Sequence, residues 1–151
     1  MAKYAIDFQR TASTSGSVGN VTADATRPRR IKIYDVMMGS EATPADAALL
    51  WTLQRCTTAG TGTGVTPQPL DPADAATEAD AAENHTIEPT YTAGAILLNV
   101  PVNQRATFRW VAAPGGELVA PATASNGFGL QTDTISTGTP VVTAQIHIEE
   151  Q

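Results

Sequence analysis

A chain of 151 residues and 15.7 kDa suits one domain with one hydrophobic core. A net charge of −6 and a pI near 4.7 argue against broad nucleic-acid binding, which needs a basic face to displace counterions. The absence of an 18-residue apolar run excludes a transmembrane helix, the opening MAKYAIDFQR predicts no signal peptide, and the single cysteine, Cys56, excludes an internal disulfide.

Thr and Gly are abundant, Lys is scarce, and short apolar runs alternate with turn-forming clusters, which is the pattern of an all-β sandwich or barrel. Taken in chain order, residues 4–8 form a first, weak strand. Residues 9–30 are polar and rich in Ser, Thr and Gly. They read as an arm or long loop with a weak strand at 18–22, ending in the basic cluster Arg27, Arg29, Arg30. Residues 1–28 are therefore set apart as an N-terminal strand and arm, part of the sandwich or of an interface, from a sandwich domain at 29–151. In residues 31–37, Ile31 and Ile33 alternate with Lys32 and Tyr34, and β-branched side chains favour the pleat. Thr43 and Pro44 fit the N-cap and first position of a short helix reaching Leu49. A weak strand follows at 51–57, then Gly60-Thr61-Gly62-Thr63-Gly64, read as a flexible hairpin tip.

Residues 71–83 read as a solvated acidic loop carrying at most a short helix. The continuous apolar run at 96–102 predicts a central strand buried on both faces, with Pro101 at its end or on an edge. Residues 105–111 alternate Ala106, Phe108 and Trp110 against Arg105, Thr107 and Arg109. Weak strands are predicted at 117–119 and 127–132, after the Asn126-Gly127 turn. The clearest strand is 140–149, with Val142, Ala144, Ile146 and Ile148 on one face. The total is about eight strands with long loops.

Few residues suggest chemistry. Asp71, Asp74, Glu78, Asp80 and Glu83 are clustered carboxylates, but their spacing does not match a calcium loop, and a solvated charge run is the better reading. Asn84-His85-Thr86 fits a glycosylation sequon without other signs of secretion. His85 beside Glu83 and Glu88 has no nucleophile near it in sequence and reads as a surface histidine; His147 lies on the polar face of the last strand. Cys56 ends an apolar strand and reads as a core filler. No nucleophile elbow, phosphate loop or zinc motif is present, and no enzymatic activity, cofactor or metal is expected. Arginine stands out, with seven Arg against two Lys. Arg27, Arg29, Arg30, Arg105 and Arg109 are candidates for a subunit or partner interface, where arginine is enriched; they serve equally as internal partners for Asp and Glu.

Several phrases carry a resemblance: residues 29–46 (RRIKIYDVMMGSEATPAD), 51–55 (WTLQR), 65–71 (VTPQPLD), 84–90 (NHTIEPT), 102–117 (VNQRATFRWVAAPGGE) and the Asn126-Gly127 turn. From about residue 29 onwards the chain resembles the cement, or decoration, proteins on the outside of tailed-bacteriophage heads. The resemblance implies a jelly-roll-like β-sandwich that forms a homodimer or homotrimer and bridges major capsid proteins on the outer surface of the virion, after synthesis in the host cytoplasm. It carries no catalytic residues. Residues 1–28 match least well. The eight antiparallel strands suit a double-sheet jelly roll, and an acidic outer protein is not drawn into packaged DNA. No nucleic-acid or membrane partner is expected. The alternative is a carbohydrate-binding sandwich on a phage tail or host surface, which is weakened by an aromatic content of 5% and by Trp51 and Trp110 falling in strands that face a core.

Overall fold

A computed structural model describes residues 1–12, 16–133 and 137–151. Among these the secondary structure is all β, with no helix. The strands are β1 (Lys3–Thr11), β2 (Gly16–Thr22), β3 (Ile31–Ala42), β4 (Ala48–Cys56), β5 (Thr61–Val65), β6 (Gln68–Pro69), β7 (Asp80–Ile87), β8 (Tyr91–Asn103), β9 (Phe108–Val111), β10 (Leu118–Ala120), β11 (Gly127–Asp133) and β12 (Val141–Glu150). They form two six-stranded sheets in which every pairing is antiparallel. One sheet runs β10-β3-β12-β1-β6, with β9 also paired to β3; the other runs β5-β7-β2-β11-β4-β8.

The result is a double-sheet β-sandwich, the class that the composition and periodicity predict. Eight of its twelve strands have seven residues or more, and the other four are short edge pieces.

The inward faces make one core. Tyr4, Ile6 and Phe8 of β1, Val142, Ala144, Ile146 and Ile148 of β12, and Ile31, Ile33, Val36 and Met38 of β3 come from one sheet. Leu49, Trp51 and Leu53 of β4, Phe128 and Leu130 of β11, and Val18 and Val21 of β2 come from the other. Strand β12 alternates as its sequence predicts, with every second residue buried. Strand β3 would lose its match to the core halfway along without a bulge. Asp35 pairs with His147 but Ile33 pairs with Ile148, so Tyr34 is the extra residue. The extra residue resets the phase: Ile31 and Ile33 point inward before it, Val36 and Met38 after it, and Asp35 goes to the outer face.

Several local expectations are corrected. Residues 23–30 are a connection, and the weak strand expected at 18–22 is β2, which is no part of an arm: it is buried along almost its whole length at the centre of its sheet, between β7 and β11 (residues 13–15 lie outside the described residues). Its outer side is covered because two connections cross it. The Asn20 side chain donates to Ala59 O at 2.8 Å, and Ser17 is bonded to Glu88 and Tyr91. The short helix at 43–49 does not form; Thr43 takes a φ of 52°, and β4 begins at Ala48, where Leu49 pairs with Val102. A cap and a proline are weak local signals, and a strand pairing that buries Leu49 overrides them. The glycine-rich segment is strand β5 rather than a hairpin tip. The acidic segment is a turn followed by β7, whose alanines let it lie against β2. Strand β8 is an edge strand, half exposed, and not a central one. Residues 104 and 105 form a turn, closed by Ala106 N on Asn103 O, so β9 begins only at Phe108.

Candidate functional site

The β2–β3 connection, residues 23–30, holds three of the five candidate arginines. Its shape comes from Asp24, whose carboxylate accepts bonds from Thr26 N at 2.8 Å, Thr26 Oγ1 at 2.7 Å and Arg27 N at 2.6 Å. These donors hold the Asp24 carboxyl below the usual carboxylate range, the Arg27 amide foremost. The other end is tied to the C-terminus: Arg30 N donates to Gln151 O at 3.0 Å and Gln151 N to Arg30 O at 2.9 Å. Between these anchors Arg27, Arg29 and Arg30 are all exposed. Arg27 meets Glu78 at 2.8 Å, with its side chain still 72% exposed. Arg29 and Arg30 have no salt bridge among the described residues. Arg29 lines a surface cleft with Tyr4, Glu78 and Glu150.

Arg105 and Arg109 lie elsewhere. Arg109 faces Met37 across the β3–β9 ladder, six residues and so about 20 Å from the start of β3. Arg109 is an internal partner: its Nε and Nη2 grip the Asp35 carboxylate at 3.0 and 2.5 Å. Asp35 is buried, and that guanidinium, the largest influence on it, holds its carboxyl below the ordinary value despite burial. His147 adds Nδ1 at 3.5 Å from the same carboxylate and stacks at a tilt against Tyr34. Arg105 is exposed in the β8–β9 turn, where its amide donates to Asn103 Oδ1 at 2.9 Å. The five arginines are therefore one cluster of three, one buried-carboxylate partner and one separate cation. No signal in the sequence links Arg109 to Asp35, because the β3–β9 pairing that joins them spans 74 positions.

The acidic residues are also dispersed. Asp71 caps its own turn through Ala73 N at 2.9 Å, Glu78 takes Arg27, and Glu83 accepts the Gln9 amide at 2.7 Å. Among the described residues no group of three or more His, Cys, Asp and Glu is placed to hold a metal ion.

His85 is not a surface histidine. It is half-buried, with Nε2 3.1 Å from Asn20 Oδ1, and Nδ1 is buried with no hydrogen-bond partner among the described residues. Asn20 Nδ2 is committed to Ala59 O, so its Oδ1 accepts and His85 Nε2 carries the hydrogen. Burial, above all, pushes the His85 pKa below its ordinary 6.5. The unfolded chain then binds this proton at a higher pH than the folded chain does. The stability contribution is intact above about pH 6.5 and is lost as pH falls from there through the lower folded value. Thermal melts are expected to show a drop in midpoint between neutral and mildly acidic pH, and a smaller drop in His85→Gln. An equal drop in both proteins would remove His85 as the cause.

Cys56 fits its reading as a core filler: it is buried, and burial pushes its thiol up to about 12. The native protein is expected to resist alkylation by iodoacetamide at mildly alkaline pH and to react at once when denatured. Mass spectrometry of the two samples checks this, and rapid labelling of folded protein would contradict it.

The chain matches no protein-family model, no curated protein and no solved structure.

Proposed function

We propose that this protein is a capsid cement protein, a structural component that associates with itself and bridges major capsid proteins on the outer surface of a phage head. The observation that carries the reading is the exposed arginine connection, held at both ends, on an otherwise acidic β-sandwich. The phrase-level resemblance from residue 29 onwards supports it. The mechanism is stapling. A protein that binds the assembled, expanded shell and not its precursor stabilises that shell by mass action. Many modest contacts, each an arginine fork on a capsid carboxylate or an added strand at a sheet edge, sum to resistance against the pressure of packaged DNA. Arg27, Arg29 and Arg30 are the contact residues in this reading. Arg109, bound to Asp35, is a structural element of β9.

The carbohydrate-binding alternative needs an exposed aromatic platform; Trp51 is 1% exposed in the core and Trp110 is half-buried against it.

Co-sedimentation of the purified chain with expanded empty heads tests the proposal. Saturable binding at a fixed ratio to the major capsid protein is expected, weakened by salt because exposed charges are screened. The triple variant Arg27→Ala, Arg29→Ala, Arg30→Ala is expected to lose most of that binding while melting like the parent chain. Absence of binding at any ionic strength would sink the reading, and undiminished binding by a folded triple variant would remove these arginines from the contact.

A further inference from the structure

Among the described residues strand β8 is the longest, at thirteen residues, and pairs on one side only, with β4. The other outer strands are far shorter: β5 has five residues, β6 two, β9 four and β10 three. The stretch of β1 beyond β6 is also open, but it carries Asp7 and Arg10, and its Gln9 amide is taken by Glu83. Edges are normally protected by charge, shortness or a cover. The sequence from 89 to 104 contains no charged residue, in a chain whose net charge is −6. Leu97, Leu98, Val100 and Val102 pack against the core yet stay partly exposed.

The ladder defines which backbone groups face outward. Gln104 N donates to Ala47 O at 2.9 Å, in register with the β4–β8 pairs Ala48↔Asn103 to Leu53↔Leu98. Antiparallel pairs alternate between bonded and non-bonded, so residues 98, 100 and 102 bond to β4, and 99, 101 and 103 direct their backbone groups away from it. Pro101 fits, since a residue without an N–H sits on the outward phase. Asn99, Pro101 and Asn103 are all exposed. The Asn103 carbonyl is used by Ala106 N. The Asn99 N–H and C=O and the Pro101 C=O remain at the open edge.

We propose that β8 is the self-association edge: a second copy adds its own β8 antiparallel, across a two-fold axis centred on Asn99. An antiparallel pair of identical strands is self-complementary, with the Asn99 N–H donating to the partner's Asn99 C=O and the reverse. An uncharged edge lets two acidic chains approach without like charges facing each other. Leu98 and Val100 lie side by side across the axis and are covered by their counterparts. This assignment does not depend on the capsid reading.

The test is sedimentation velocity of the full chain across a micromolar concentration range. A monomer–dimer equilibrium is expected, the dimer having twice the 15.7 kDa of one chain. Asn99→Pro removes the outward N–H without touching the β4 pairing and is expected to weaken the dimer about tenfold or more, with unchanged circular dichroism. Asn99→Ala removes the same side chain, including its 3.3 Å bond from Thr52 Oγ1, but keeps the N–H, and is expected to dimerise normally. A wild-type monomer at all concentrations, a trimer, or a dimer indifferent to Asn99→Pro would each overturn the assignment. Capsid binding by a chain that stays monomeric would overturn this edge and the self-association, and leave the capsid contact of the cement reading standing.

Discussion

Phe8→Ala is expected to destabilise the protein by about 3–5 kcal/mol, a large part of the total stability of a domain of this size. The ring is fully buried at the centre of β1, facing the opposite sheet, and it lies directly over Gly19 of β2. A Cβ placed on Gly19 would fall 2.2 Å from Phe8 Cδ1, so the glycine is the hole into which the ring fits. Phe8→Ala removes the packing of both sheets at once and leaves a cavity that neither sheet can close without breaking its ladder. The converse change, Gly19→Ala, is expected to cost about 1–3 kcal/mol through overpacking. The two effects share one volume, so they are not additive: in the Phe8→Ala background, Gly19→Ala is expected to add little. Urea unfolding of the four proteins measures this cycle, and strict additivity would show that ring and glycine do not meet.

Gly127→Ala is expected to cost about 3 kcal/mol or more, above the usual range for one added methyl group. Gly127 opens β11, where it pairs with Thr22 on one side and Cys56 on the other. Its Cβ would lie 2.0 Å from Val21 O and 2.7 Å from Thr22 Cα, both backbone atoms of β2. A flexible side chain could swing aside, but here the ladder itself must shift, and β2 is held by pairings on both of its edges. Gly64→Ala in β5 is the matched control. Nothing lies within 4 Å of that position, and Ala is expected to be neutral or to stabilise by up to about 1 kcal/mol. Comparable losses at Gly127 and Gly64 would show that glycine content rather than close approach governs these sites.

The two glycines illustrate what was legible. Asn126-Gly127 reads as a turn in the sequence, and a turn does end there, with Ser125 at a φ of 61°. The requirement for Gly127, however, is steric contact with a strand more than a hundred residues away. The arginine readings divide in the same way. Arg27, Arg29 and Arg30 lie within four consecutive positions, so their grouping in one exposed connection follows from adjacency. Arg105 and Arg109 were grouped by strand alternation, and the turn at residues 104 and 105 breaks that alternation before β9 begins. The Asp35–Arg109 pair and the seating of His85 on Asn20 depend on contacts between distant strands.

The sequence by itself determined the class of fold and most of the inward faces, because period-two alternation is a local property that each strand carries alone. Val142, Ala144, Ile146 and Ile148 are all buried as their spacing requires. It also determined that residues 96–102 form a largely apolar run without charge. The tertiary structure decided that this stretch lies at an edge rather than at the centre, since an apolar run has the same composition in either place and only the pairing order distinguishes them. Tertiary structure likewise decided the bulge at Tyr34, the strand character of the alanine-rich β7, and the crossings that bury Ser17 and Asn20. Each of these is selected by what the neighbouring strands bury, a free energy that no single segment of the chain contains.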